Sequence, residues 1–202
     1  MSLRAVLLPA AGASSRMRGR DKLLEDVHGT PCLRHMAKAA RASADLVFVT
    51  LPSADHPRAD ALAGLDVRVL IVADAATGMS ASLKAGAKAA ISARADALMV
   101  LPADMPDLSQ DLAHIWQAYE ALPEGHSLRA CTESGDEGHP VVFAAQTLPD
   151  FQALDGDRGA EPILQQNAAS LHRLALPAAR ARRDLNTPED WAQWRRSTPQ
   201  AE

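Results

Sequence analysis

The chain predicts an α/β protein, a Rossmann-like three-layer αβα sandwich built on a mostly parallel sheet. Short apolar runs rich in Val, Leu and Ile alternate with alanine-rich stretches of helical period. Helical stretches separate the first four runs, the pattern of right-handed crossovers between parallel strands covered on both faces. At 202 residues, 47% hydrophobic and 23% charged, the chain has the material for one folded domain with a substantial core. Aromatic residues make up only 3%, so that core is expected to be built from Ala, Leu and Val.

The first strand covers residues 5–8 (AVLL) and opens into a small-residue loop. Thr30 before Pro31 reads as an N-cap with proline at the first helical position, leading a helix over 33–42. Residues 45–50 (DLVFVT) form a second buried strand, 54–62 a short helix, and 67–72 (VRVLIV) a third strand. A long helix over 79–93 precedes a fourth strand at 97–101, and Ser109 is placed to cap a helix running to residue 121. Beyond it, 128–132 and 139–143 read as strands joined by the turn ESGDEG. A Gly/Asp loop (LDGDRGAEP), a helix over 163–168 and a strand over 171–176 follow. In DLNTPEDWAQWRR, Thr187 is the N-cap, Pro188 the first helical residue and Asp190 the partner in a capping-box-like pair. Trp191 and Trp194 fall on that last helix as core contacts. One domain is expected over 1–197, with 198–202 a frayed tail.

The formal net charge of −4 argues against a general nucleic-acid surface, though not against a local anion site. Cys32 and Cys131 stand far apart without a CxxC pattern, so reduced, partly buried thiols are expected rather than a disulfide or metal site. The apolar run at the amino terminus is shorter than a signal peptide's core, and no stretch has the length of a membrane span. A cytoplasmic protein without a membrane partner is the expectation.

Chemistry concentrates in LPAAGASSRMRGRDK, residues 8–22. It carries neither the GxGxxG dinucleotide fingerprint nor a Walker loop. Its small residues still let backbone N–H groups approach oxyanions, and Arg16 and Lys22 supply charge-assisted donors. A second feature is Asp104 in LPADMPDLS, just past the fourth strand, where ligands bind in such sheets. A carboxylate there suits Mg²⁺, which takes one or two carboxylates plus substrate phosphates; a turn carboxylate capping backbone amides is the plainer alternative. Asp107 is read as such a cap. His139 in GHPVVF, and Asp184 and Asn186 in DLNTPED, read singly as local turn and capping groups.

Taken together and in this order, LLPAAGASSRM, DKLL, ADMPDL, EGHPVVF and DLNTPED resemble the MobA-like nucleotidyltransferase family, most closely its molybdenum cofactor cytidylyltransferase branch. The resemblance implies a nucleotide-diphospho-sugar transferase type of fold. It implies that Leu8, Pro9, Ala10, Ala11, Gly12, Ser14, Ser15, Arg16 and Met17 wrap the nucleotide and that Lys22 contacts its triphosphate. Thr77, Gly78, Met79 and Ser82 match a loop closing on base and ribose. Asp104 matches a metal-binding aspartate and Asn186 a second metal-side position, with Asp184 as its substitute. Gly138, His139 and Pro140 match a segment near the acceptor phosphate, and residues 156–160 an acceptor-side loop. The PAAG form implies CTP, since guanine users more often carry a second glycine. Two departures stand out: Arg18 replaces the usual glycine after Arg-Met, and Glu161 replaces an arginine often found after GA.

What the resemblance implies is Mg²⁺-dependent transfer of a nucleoside monophosphate, CMP from CTP, onto a phosphate of molybdopterin or molybdenum cofactor, with pyrophosphate released. Arg16, Lys22 and Asp104 carry the catalysis, Asp104 and Asn186 hold the metal, and a molybdoenzyme or its chaperone is a further partner. Two alternatives are a GTP- or CTP-dependent transferase acting on a sugar or polyol phosphate, and a non-catalytic nucleotide-binding or cofactor-delivery protein.

Overall fold

Six residues, Arg4–Pro9, form strand β1, whose four inner positions are fully buried and send their side chains alternately to opposite faces. Val6 and Leu8 enter one apolar layer, Ala5 and Leu7 the other. In the computed structural model, residues 2–74, 78–156 and 158–197 are described. The elements after β1 are the two-residue strands β2 (Asp26–Val27) and β3 (Thr30–Pro31), helix α1 (Cys32–Ser43), β4 (Leu46–Leu51), α2 (Arg58–Leu62), β5 (Arg68–Ile71) and α3 (Met79–Ser92). Then come β6 (Ala97–Val100), α4 (Leu112–Glu120), β7 (Ser127–Cys131), β8 (Glu137–Ala144), α5 (Glu161–Gln166), β9 (Leu171–Ala175) and α6 (Pro188–Ser197).

The main sheet has the order β5-β4-β1-β6-β8-β7-β9. β8 alone is reversed, antiparallel to β6 and β7, while the other pairs are parallel, so the predicted mostly parallel sheet is present. One apolar layer joins the sheet to α1, α4 and α6 through Leu33, Met36, Ile115, Trp116, Trp191 and Trp194. The other joins it to α3, α5 and the 3-10 segment Ala145–Ala153 through Leu83, Ala87, Leu148, Phe151 and Ile163. Helix α3 lies close on β1: a Cβ at Gly86 would stand 2.3 Å from Leu7 Cδ2. Both cysteines are free and buried, and both final-helix tryptophans are core residues, as expected. Among the described residues, no helix is long and apolar enough to cross a membrane.

Several boundaries differ from the sequence reading, each for a local reason. Thr30 does not cap α1: it belongs to the β2–β3 hairpin, and its hydroxyl donates to Val27 O. His28 and Gly29 both have positive φ (51° and 81°), the geometry of a two-residue hairpin turn. Ser109 does not cap α4 either, because Pro106–Gln110 is a 3-10 turn and the Ser109 hydroxyl pairs with His35 Nε2 at 2.9 Å. Helix α2 starts at Arg58 rather than 54, and α5 covers 161–166 rather than 163–168. Asp107 is not a backbone cap; it accepts from Trp194 Nε1 at 2.8 Å and from Arg183. The tail 198–202 lies outside the described residues.

From β1 the chain moves outward to β4 and β5, then returns through α3 to β6 on the other side of β1. That reversal opens a crevice beyond the carboxyl ends of β1 and β6, the place where such sheets take ligands.

Candidate active site

The opening loop leaves β1 at this crevice and is pinned at its first residue. Ala10 N–H donates to Thr50 Oγ1 on β4, whose hydroxyl donates to Ser82 Oγ on α3, each at 3.1 Å. Farther along, Ser14 (φ 52°), Arg18 (φ 54°) and Gly19 (φ 87°) take left-handed backbone around the 3-10 turn Ser15–Met17. Met17 is fully buried and anchors that turn in the core. The loop closes around Arg58, whose side chain is 2% exposed. Nε and Nη2 of Arg58 donate to the two Asp21 oxygens at 2.7 and 2.8 Å. Nη1 donates to Ala10 O and Gly12 O at 2.5 and 2.7 Å, and Nη2 also to Ser14 Oγ at 2.9 Å. These five contacts match the five N–H donors of a guanidinium. Burial alone would raise the Asp21 pKa, but the Arg58 hydrogen bonds and charge, with Leu23 N–H and Ser14, outweigh it and hold it below the ordinary value.

Asp21 also accepts from Leu23 N–H at 3.0 Å, so it caps the short turn Lys22–Leu24 and aims Lys22. Lys22 Nζ lies 2.5 Å from Asp104 Oδ2 and 2.8 Å from Asn186 Oδ1. Residues 82 and 164 positions away from Lys22 thus offer oxygens to one cation. Asn186 is fixed from behind: its Nδ2 donates to Asp184 Oδ2, and its N–H and that of Thr187 donate to Asp190 Oδ2 at 3.0 and 2.8 Å. Asp190 N–H returns the bond to Thr187 Oγ1 at 3.2 Å, completing the predicted capping pair. Leu185 N–H donates to Asp104 O at 3.0 Å and ties the two segments together. Below Asp104, the buried Cys32 thiol donates to Ala103 O at 3.1 Å. Burial and then the Asp104 charge push its pKa well up, against Lys22, so it stays a thiol.

A cleft of about 730 Å³ runs from this loop past Lys22 and Asp104 to a far wall of Arg129, His139, Arg158 and Glu161. Cleft walls crowd the His139 ring; weakened hydration and then the Arg129 charge lower its pKa, against Asp104, Asp184 and Glu161. The ring is therefore neutral at pH 7. A small-residue loop, a lysine, two convergent oxygens and a basic far wall make a site for joining two anions.

Comparison with known proteins agrees with this geometry. The MobA-like NTP transferase domain matches residues 5–172. The chain belongs to the MobA-like family. It is 30% identical over 193 residues to a molybdenum cofactor guanylyltransferase of Pseudomonas fluorescens (92% of this chain, 90% of that one). A molybdenum cofactor guanylyltransferase of Serratia proteamaculans is 28% identical over 196 residues (93% and 92%). Among solved structures, Rv0371c of Mycobacterium tuberculosis superposes with a TM-score of 0.81 at 23% identity, covering 97% of this chain and 99% of that one. The protein is an enzyme of the nucleotidyltransferase type, with the expected nucleotide-diphospho-sugar transferase fold. The relatives' names carry guanylyl, where the sequence reading pointed to the cytidylyl branch.

Of the residues singled out as MobA-like, Pro9, Ala10, Ala11, Gly12, Ser15, Lys22, Gly78, Met79, Ser82, Asp104 and His139 line the cleft. Leu8 is core, Ser14 is spent on Arg58 and Asp21, and Gly138 and Pro140 are buried behind His139. Asn186 reaches the site through Lys22. Arg16 is exposed at the rim, where its charge helps lower the Asp190 pKa against the larger effect of burial. Thr77 lies outside the described residues. Sequence reasoning missed Arg58, whose five acceptors lie 37 to 48 residues upstream, and Arg129, a lone arginine in a strand. No local motif marks either one.

Proposed function

We propose that this enzyme transfers a nucleoside monophosphate from a triphosphate to the phosphate of a molybdenum-cofactor-type acceptor. The acceptor oxygen would attack the α-phosphorus in line. The bond from that phosphorus to the bridging oxygen breaks, and pyrophosphate leaves with the electron pair while a new P–O–P linkage forms. The observation that carries the reading is the convergence of Asp104 Oδ2 and Asn186 Oδ1 on one cation, here the Lys22 ammonium, beneath the loop that leaves β1. Hard oxygen donors at this point fit Mg²⁺, with Asp104 and Asn186 as its holders. Among the described residues there is no cluster of three or more His, Cys, Asp or Glu, which suits an ion that takes its remaining ligands from water and phosphates. Bound there, Mg²⁺ would supply charge neutralisation and Lewis acidity at the phosphates.

The chain's own residues have the task of bringing two anions together rather than moving a proton. Lys22 would pass from Asp104 and Asn186 to the triphosphate. Arg16, at the rim, would add charge near the leaving pyrophosphate, and the loop amides would cradle the phosphates. Neutral His139 would position the acceptor by a hydrogen bond.

For the base, Ala10 and Ala11 favour CTP: their methyl groups are 1% and 6% exposed at the head of the cleft, where a second glycine would leave room for a purine. The names of the guanylyltransferase relatives favour GTP as the second reading. Pyrophosphate release from each of the four triphosphates, with Mg²⁺ and with or without molybdopterin, tests both levels. Acceptor-dependent release with CTP supports the first reading and with GTP the second; no release with any triphosphate refutes the transfer itself.

A further inference from the structure

The far wall of the cleft holds a guanidinium that the nucleotide half does not use. Along the carboxyl edge of the sheet, the groups follow the strand order: the opening loop after β1, Asp104 after β6, His139 on β8 and Arg129 on β7. Because β8 runs backwards, its first residues lie at the edge where β1 and β6 end. Arg129 therefore stands two strands beyond Asp104, on the side away from the opening loop.

Its side chain is 13% exposed and lines the cleft. Nε donates to Gly138 O at 3.2 Å, and Nη1 to Glu137 Oε2 and Glu161 Oε2 at 2.9 and 3.2 Å. Among the described residues these bonds leave Nη2 without a hydrogen-bond partner. Glu137 is itself gripped through its other oxygen by Arg173, the register partner of Arg129 on β9. The β7–β8 register shifts between Arg129 and Cys131, an irregularity of the kind that re-aims a side chain beside a site. A guanidinium with two nitrogens fixed and a third free is organised in advance for an anion.

We infer that Arg129 binds the phosphate of the acceptor, a phosphomonoester, through Nη2. This rests on the reading of the site as a transferase and names the group that takes its second substrate. It also accounts for Glu161: where relatives often carry an arginine, this chain has a carboxylate that steadies an arginine from the neighbouring strand. A latch that only joined β7 to α5 would have no need to face the cleft beside His139.

The test is the equilibrium binding of molybdopterin, whose side chain ends in a phosphate monoester, to wild type, Arg129→Gln and Arg129→Lys. Triphosphate binding and pyrophosphate release are measured in parallel. Arg129→Gln is expected to weaken molybdopterin binding about 10- to 100-fold. Arg129→Lys, which keeps the charge without the fork, weakens it less, and triphosphate binding is unchanged in both. Should the glutamine variant fail to fold, the lysine variant carries the comparison. Unaltered molybdopterin binding in the folded variants, no molybdopterin binding by wild type, or an equal loss of triphosphate binding overturns the inference. Arg129-dependent binding by a wild type that releases no pyrophosphate would sink the transferase reading and leave this assignment standing.

Discussion

Asp104 and Lys22 hold each other at 2.5 Å in the nucleotide-free enzyme, and their substitution separates two functions. Asp104→Ala removes the carboxylate placed to hold a cation, so turnover should fall by at least about a hundredfold while the fold is retained. A folded Asp104→Ala protein with near-normal transfer would refute the metal assignment. Lys22→Ala should weaken triphosphate binding by about tenfold or more, read by titration with a non-hydrolysable analogue. Unaltered binding would place Lys22 outside the phosphate site. Arg18 is the residue that departs from the usual glycine, and its φ of 54° shows why glycine is usual there. Left-handed backbone costs a residue with a side chain roughly 1–2 kcal/mol, and glycine removes that cost but adds about 0.5–1 kcal/mol of chain entropy. The exposed pair with Glu189 at 2.8 Å offsets little. Arg18→Gly should therefore lie within about 1 kcal/mol of wild type in urea unfolding, and the β-branched Arg18→Val should lie clearly below both.

Between residues and the whole stand the loop and the elements that grip it. Arg58 on α2 binds Ala10, Gly12, Ser14 and Asp21, and Asp21 caps the turn that aims Lys22. Arg58→Met leaves a half-buried carboxylate and two carbonyls without their donor, a loss of about 3–5 kcal/mol. Both the urea midpoint and triphosphate affinity should drop; a drop in neither would show that the loop is held by its own turns. This grip is also where sequence reading stops. The small residues of the loop, the buried strands and the capped final helix are legible because their signals are local: composition, alternation and a Thr-x-x-Asp spacing. Arg58 and Arg129 act through partners brought near only by the folded sheet. The reversed direction of β8 was equally hidden, since an apolar run looks the same read either way. Thr30 and Ser109 carried cap chemistry, but a hairpin and a histidine claimed their hydroxyls first.

At the scale of the molecule, two apolar layers clamp one sheet, and the ionisable groups placed against them set how the fold answers to acid. Burial, then the charges of His28 and Lys38, lower the His35 pKa below its ordinary 6.5. His139 is lowered as well. The folded state binds fewer protons at these rings than the unfolded chain does, so their contribution is full above pH 6.5 and is lost as pH falls through the folded values. For Asp21 and Asp190, burial raises the pKa, but hydrogen bonds and nearby arginines outweigh it and hold both below 3.8. Their stabilisation is present above 3.8 and is lost as pH falls through the lowered values. All four groups act in the same direction. Urea unfolding free energy should fall steadily on acidification from pH 7 to 3, in an upper step set by the histidines and a lower one set by the aspartates. His35→Gln, which can still bond Ser109, should flatten the upper step. Asp21→Asn, which keeps an oxygen for Arg58, should flatten the lower one. A stability maximum below pH 5 in wild type would contradict the assignment, because it requires a group that gains protons on folding.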